Sequence, residues 1–259
     1  MVNEILSLDE IKKFDLLERF KARVLRSSLQ HSEFLVDVGC GGGKFLFHNK
    51  SIFENHLGIE VTPQALEFAR KSIGLNAEED GSGINRMVSV AAFWHSLEHM
   101  TPESIKGIMT VLNRHSATDT RIIVSVPNSG SFQFFIFKEN FAYYDPQNHI
   151  QQFSVQSLNR LMDTYGFEPC RFFASEVYAF FGYLQGLLNT CNRIHNYFYQ
   201  RRKRGLPVTG YPIKRFLLDG YNYMLVLLFL PVAGLLSVYD ILFPHKGGVI
   251  TICYRKKKN

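Results

Sequence analysis

The chain has 259 residues, 46% of them hydrophobic and 20% charged, a composition that excludes a disordered chain, a collagen-like repeat and a disulfide scaffold. Its length suffices for one large domain or two small ones. The net charge of +6 is unevenly spread: residues 1–169 hold 16 Lys and Arg against 20 Asp and Glu, whereas residues 170–259 hold 13 against three. The basic part also carries the longest apolar run, a pairing that suits a membrane surface at least as well as nucleic acid. Cys40, Cys170, Cys191 and Cys253 are widely separated and form neither a CxxC pair nor a zinc spacing, so reduced thiols, a cytoplasmic location and no metal site are expected. Glu4, Asp9 and Glu10 near the N-terminus argue against a secretory leader.

In chain order, residues 9–30 place Ile11, Phe14, Leu17, Phe20 and Val24 at helical spacing and predict one amphipathic helix. FLVDVG (34–39) predicts a buried strand that runs into the glycine cluster GCGGGK, with a helix over 44–52. HLGIEV (56–61) is a second strand, and Thr62 stands as cap to a helix over 62–73. Strands follow at 87–96 and 121–128, with the helix PESIKGIMTVLNRH between them. A helix at 154–167 stops at Gly166; strands are predicted at 170–178 and 247–256. This alternation is the pattern of an α/β fold with a parallel sheet.

Residues 179–246 are not needed by that pattern and read as an insert within the α/β domain of residues 1–178, whose last strand and basic tail are 247–259. Its stretch 224–238 has 15 residues without a charge, broken by Pro231. A spanning helix needs about 20 apolar residues, and a single span would put the last strand across the membrane from its sheet partners. A helix or bent helical pair lying in the interface, peripheral on the inner membrane face, is therefore expected. A hydrophobic cap on the domain or a homodimer interface is the competing reading. The aromatic stretch Phe132, Phe134, Phe135, Phe137, Phe141, Tyr143 and Tyr144 reads either as an apolar lid or as packing under a loop.

The glycine cluster narrows the ligand. Counted from Gly39, a GxGxxG fingerprint would need glycine where Lys44 stands, and a P-loop fails because Val38 and Phe45 occupy its defining positions. What remains is Asp37-x-Gly39-x-Gly41-x-Gly43 directly after a buried strand, which lets backbone approach a ligand closely. Glu60, at the end of the next strand, can hold a ribose diol through two hydrogen bonds.

DVGCGGG, followed 23 residues after Asp37 by Glu60 in LGIEV, resembles the S-adenosylmethionine site of class I methyltransferases. FWHSLEHM (93–100) resembles that family's strand-four motif. Pro127 and Asn128, then His149, Phe153, Ser154, Gly166 and Phe167, are similar to the branch of ubiquinone-pathway O-methyltransferases and bacterial surface-glycan enzymes. The resemblance implies a Rossmann-like, mostly parallel seven-stranded sheet with an antiparallel last strand, and S-adenosyl-L-methionine as cofactor. It implies that Gly39 and Gly41 lie against the methionine part, that Glu60 meets the ribose, and that Asp37 supports the loop and the ligand's amino group. Cys40, Gly43, Val61 and His95 complete the residues assigned to the cofactor. An acid on the adenine amino group is also implied, with Glu78, Glu79 and Asp80 as the candidates in a short stretch.

Methyl transfer from a sulfonium needs alignment of acceptor and methyl, and a hydroxyl acceptor needs a base, worth about 10²–10⁴-fold. His95, His99 and His149 are the candidates; the motif context makes His149 the base and has His99 shape the acceptor pocket. With the apolar insert and the basic runs RRKR (201–204) and RKKK (255–258), the expected acceptor is an amphiphilic small molecule at an anionic membrane surface. Two alternatives stand: a non-catalytic methyltransferase-like subunit, and an RNA methyltransferase. The second is disfavoured because WHSLEHM replaces the Asn-Pro-Pro-aromatic motif and no nucleic-acid module is appended.

Overall fold

The computed structural model describes residues 7–192, 194–204 and 212–258. Two compact units are defined by their internal contacts: residues 1–127, 146–173 and 250–259 form one, and 128–145 with 174–249 form the other.

The first unit holds a seven-stranded sheet in the order β3-β2-β1-β4-β5-β7-β6. Its strands are β1 (Phe34–Val38), β2 (Asn55–Ile59), β3 (Ala77–Glu78), β4 (Val90–Trp94), β5 (Arg121–Pro127), β6 (Phe167–Phe173) and β7 (Val249–Lys256). β1 pairs in parallel with both β2 and β4, with Val36 opposite Leu57 on one side and Ala91 on the other. β1 and β4 are buried at every residue, as a strand covered on both faces must be. β6 runs antiparallel to β7 and forms the sheet edge, where Pro169 lies beside a bulge and its missing N–H is tolerated. Helices α1 (Leu8–Lys12), α2 (Leu16–Ser28), α3 (Lys44–Asn49), α4 (Pro63–Lys71), α5 (Pro102–Arg114) and α7 (Val155–Thr164) belong to this unit; α6 (Phe132–Phe137) lies in the other.

Three expectations are corrected. The single helix over 9–30 is two, because Asp15 takes an extended backbone and caps Leu17 and Glu18 through its side chain. The apolar spacing simply continues across that break. The strand placed at 170–178 spans 167–173 instead, because the Ser175 hydroxyl accepts from the Tyr178 amide and starts a helix. The two-residue β3 escaped prediction, being too short to show any periodicity.

The second unit is helical: α6 (Phe132–Phe137), α8 (Glu176–Cys191), α9 (Tyr197–Arg204) and α10 (Pro212–Leu242). Phe137, Phe141, Tyr183, Leu184, Leu188, Leu225 and Ala233 form its core, and Phe132, Phe134, Tyr143 and Tyr144 pack against them. Packing thus accounts for most of the aromatic stretch; Phe135 stays exposed. α10 continues through Pro231 as one helix of 31 residues, and its segment Phe216–Leu242 is long and apolar enough to cross a membrane.

α10 is anchored by a polar node. Asp240, 4% exposed, accepts from Gln133 Nε2 (2.7 Å), from the Gly248 amide (3.0 Å) and from the Tyr183 hydroxyl (2.9 Å). A Cβ at Gly182 or Gly248 would stand 2.2 or 2.4 Å from Gln133 Oε1, so glycine admits the amide there. Asp240→Ala leaves three buried donors without their acceptor, and a loss of about 3 kcal/mol is expected in chemical denaturation. A loss within experimental error of zero would show that the node does not hold the helix.

Candidate functional site

The chain leaves β1, lays down β2 and β3 on one side, then returns to form β4 on the other. The sheet order therefore reverses between β1 and β4, and the crevice beyond their carboxyl ends is where open α/β sheets take ligands. The glycine cluster follows β1 at this point, and His95 to His99 follow β4.

The loop after β1 has the backbone that only glycine supplies cheaply. Gly39, Gly41 and Gly43 have φ of +76°, +54° and +87°. A Cβ on Gly39 would stand 2.3 Å from Ser96 Cβ, and the Ser96 hydroxyl donates to the Val38 carbonyl at 2.5 Å, so the two loops are locked together. Gly43 would place its Cβ 2.2 Å from Leu75, and it opens α3. Gly41 differs: nothing lies within 4 Å of its added Cβ, so there the loop borders open space. Cys40 is buried, with its amide donating to the Ile59 carbonyl, and burial pushes its thiol far up, so it is no thiolate.

Glu60 sits just past β2 and is buried. Its Oε2 accepts from the Gly41 amide and its Oε1 from the Thr62 amide, both at 2.8 Å. The acid at the second strand's end thus fixes the glycine loop while keeping further lone pairs for a diol. Val61, beside it, is 72% exposed, an apolar surface against which a flat ring could pack. Asp37 in β1 is buried, and its Oδ1 has no hydrogen-bond partner. Burial pushes its carboxyl up to about 7; the Glu18 and Glu60 charges act in the same direction and Lys21 opposes them.

On the β4 side, His95 has a left-handed φ of +53°, a strained setting for a residue with a side chain, and its Nδ1 lies 3.3 Å from Glu98 Oε1. Leu97–His99 form a 3₁₀ turn. His99 donates from Nδ1 to the Asn148 carbonyl at 2.9 Å, and its ring meets that of His149 edge-on, centroids 4.9 Å apart. The two histidines chosen from the sequence, 50 residues apart, are therefore neighbours. A backbone bond from Gln151 to the Glu98 carbonyl ties the two segments.

The candidate adenine acids are less committed. Glu78 turns its carboxylate against its own loop, where a Cβ on Gly83 would stand 2.4 Å from it. Asp80 is exposed, and its bonds from the Ser82 hydroxyl and amide hold its carboxyl below the usual range. Glu79 is exposed. Sequence reasoning missed Glu18 and Lys21, an ion pair at 2.9 Å whose charges act on Asp37, because a buried acid inside an amphipathic helix leaves no pattern. Glu98, inside the motif FWHSLEHM, is likewise not distinguished by residue order, though it is 2% exposed.

The profile described as "Methyltransferase domain" matches residues 11–170. No curated protein matches the chain. Among solved structures, a SAM-dependent methyltransferase from Archaeoglobus fulgidus is similar at a TM-score of 0.54 and 15% identity, covering 94% of this chain and 95% of that one. A mycolic acid cyclopropane synthase complexed with SAH and CTAB reaches 0.54 at 12% identity, covering 91% and 83%. A geranyl diphosphate C-methyltransferase from Streptomyces coelicolor, complexed with Mg²⁺, geranyl diphosphate and S-adenosyl-L-homocysteine, reaches 0.52 at 12%, covering 93% and 81%.

Proposed function

The chain belongs to the methyltransferase-domain family and its cofactor is S-adenosylmethionine; from that premise we propose that it methylates a hydroxyl of a hydrophobic or lipid-linked small molecule at an anionic membrane surface. The residues present fit the cofactor. Asp37 offers a buried carboxylate oxygen without a partner, Gly41 opens the loop, and Glu60 stands oriented by two amides. Bound there, the cofactor supplies a methyl group already activated on a sulfonium. Glu60 then orients the ribose, Asp37 receives the amino group, and the glycine loop gives close backbone approach. His149 takes the acceptor's proton, and His99, held by the Asn148 carbonyl, fixes the ring beside it.

The observation that carries the acceptor class is the uncovered face of α10. Leu217, Met224, Leu228, Leu235 and Leu242 recur at helical spacing and are all exposed, with Phe216 at 77% and Leu227 at 73%. Its other face, with Asn222, Leu225, Ala233 and Asp240, is buried within its unit. A continuous apolar face this long marks an interaction surface. A helix with one face on protein and the other uncovered suits an interfacial position better than a crossing one. The basic residues of 170–259 supply the matching charge for anionic lipid. Not all are available: Arg201 pairs with Asp219, Arg255 with Glu168, and Lys257 with Asp163. In the same unit Phe134, Phe135, Tyr144 and Lys138 line an open hollow of 610 Å³, room for part of an amphiphile.

Incubation with methyl-labelled S-adenosylmethionine and a total lipid extract tests the reaction. Label is expected in the organic phase; label confined to RNA, protein or water-soluble molecules would contradict the acceptor class. In flotation the protein is expected to rise with vesicles containing anionic lipid more than with neutral ones. Equal recovery from both would remove the anionic surface from the reading, and a stable dimer that binds neither would assign the apolar face to something other than lipid.

Asp37 adds a pH dependence. Its carboxyl holds a proton more tightly in the folded chain than in the unfolded one, so its contribution to stability falls as the pH rises from about 4 to about 7. A cationic amino group beside it favours the ionised form, so S-adenosylhomocysteine binding should weaken below pH 7, by at most about tenfold per unit. Asp37→Asn is expected to flatten the profile, and a flat wild-type profile from pH 6 to 8 would remove Asp37 from ligand contact.

A further inference from the structure

Cys170 and Cys253 stand 83 residues apart in the sequence, yet they lie on neighbouring strands of the sheet. Pro169 faces Tyr254 and Arg171 faces Cys253, so at the β6 bulge two residues, Cys170 and Arg171, oppose Cys253. Antiparallel neighbours stand about 4.5–5.5 Å apart at Cα, within the reach of a disulfide. As a thiol, Cys170 donates to the Cys253 carbonyl at 3.2 Å. The settings of the two sulfurs differ: Cys170 is exposed on the edge strand, whereas Cys253 is 1% exposed.

That difference separates their reactivities. A hydrogen bond from the Cys253 thiol favours the Cys170 thiolate and brings its pKa down to about 7; burial opposes this, and Arg121 and Arg255 support it. The same hydrogen bond, together with burial, pushes Cys253 far up, so Cys253 keeps its proton. The thiolate is the nucleophile, so Cys170 meets an oxidant first and Cys253 second. About half of Cys170 is ionised at pH 7, against about 3% of a thiol at 8.5. The weaker nucleophilicity of a less basic sulfur takes back part of that gain, leaving an advantage of about threefold.

We propose that Cys170 is a site of modification by peroxide and that it closes a reversible disulfide with Cys253. The Cys170 thiolate attacks one oxygen of hydrogen peroxide. An S–O bond forms, the O–O bond breaks, and hydroxide leaves to become water, giving the sulfenic acid. Cys253 then attacks that sulfur: the S–S bond forms, the S–O bond breaks, and the Cys253 proton departs with the hydroxyl as a second water. One peroxide is reduced as the two thiols are oxidised, and a thiol reductant reverses the change. The bond joins the strands that flank residues 174–249 in the chain, and it asks nothing of the methyl-transfer reading.

The test uses the full chain, reduced, freed of reductant and exposed to hydrogen peroxide at pH 7, then alkylated and mapped by mass spectrometry. A Cys170–Cys253 cross-link within one chain is expected, and dithiothreitol should remove it. Cys170 should be consumed about threefold faster than N-acetylcysteine in the same solution. In Cys253→Ser the sulfenic acid should persist on Cys170 and be trapped by dimedone; in Cys170→Ser, Cys253 should stay reduced. Cooperative thermal unfolding certifies the fold of each variant, and the wild-type map decides alone if Cys253→Ser does not fold. Passage of Cys170 to sulfinic acid while Cys253 stays reduced would overturn the proposal. Cross-links to Cys40, to Cys191 or to a second chain in place of this one would do the same, as would a Cys170 no faster than N-acetylcysteine.

Discussion

Glu60→Ala is expected to weaken S-adenosylhomocysteine binding by on the order of 100-fold or more. The estimate follows from two hydrogen bonds between a charged acid and a diol, each worth about 1.5–3 kcal/mol. The substitution also frees the Gly41 and Thr62 amides, which the carboxylate holds at 2.8 Å, so the glycine loop loses its inner brace together with the ribose contact. Glu60→Gln separates the two effects. Gln retains an oxygen for one of those amides and an N–H for a ribose oxygen, so an intermediate loss is expected from calorimetry. Equal affinity in wild type and Glu60→Ala would place the nucleoside elsewhere on the sheet.

His149→Ala should lower turnover by about 10²-fold or more, the range for losing a positioned base, while leaving S-adenosylhomocysteine affinity within about twofold. The separation is expected because His149 lies in the segment before α7, beside His99, whereas the residues assigned to the cofactor come from β1 and the loops after β1, β2 and β4. His149 is only partly buried, so its truncation leaves no large cavity. Unchanged turnover on a hydroxyl acceptor would remove His149 from the reaction.

These residues differ in how far sequence alone exposes them. Asp37, the glycines and Glu60 belong to one strand–loop–helix–strand unit, so their relation is local and spacing carries it. His99 and His149 came from motif context, and only folding reveals that a single ring contact joins them. Glu98 stands within HSLEHM, yet its burial and its 3.3 Å approach to His95 Nδ1 are three-dimensional properties with no signature in residue order. The same limit explains the broken first helix. Asp15 interrupts a pattern whose apolar residues continue in register, and its capping bonds and its 2.7 Å ion pair with Lys44 appear only in space. Composition located the apolar run near residues 224–238, but which of its side chains are covered depended on α8 and on the Asp240 node. Fold class was legible because buried parallel strands are mostly apolar; the ends of β6 were not, since Ser175 serves a strand end and a helix cap equally well.

Titration of the purified wild-type chain with S-adenosylhomocysteine at pH 8, where Asp37 is ionised, shows whether the glycine loop and Glu60 hold the nucleoside. Saturable binding of one equivalent is the expected result. No heat and no thermal stabilisation from well-folded protein would contradict it, because a loop with Gly39, Gly41 and Gly43 all at positive φ and braced by a buried Glu60 would then have no ligand to approach.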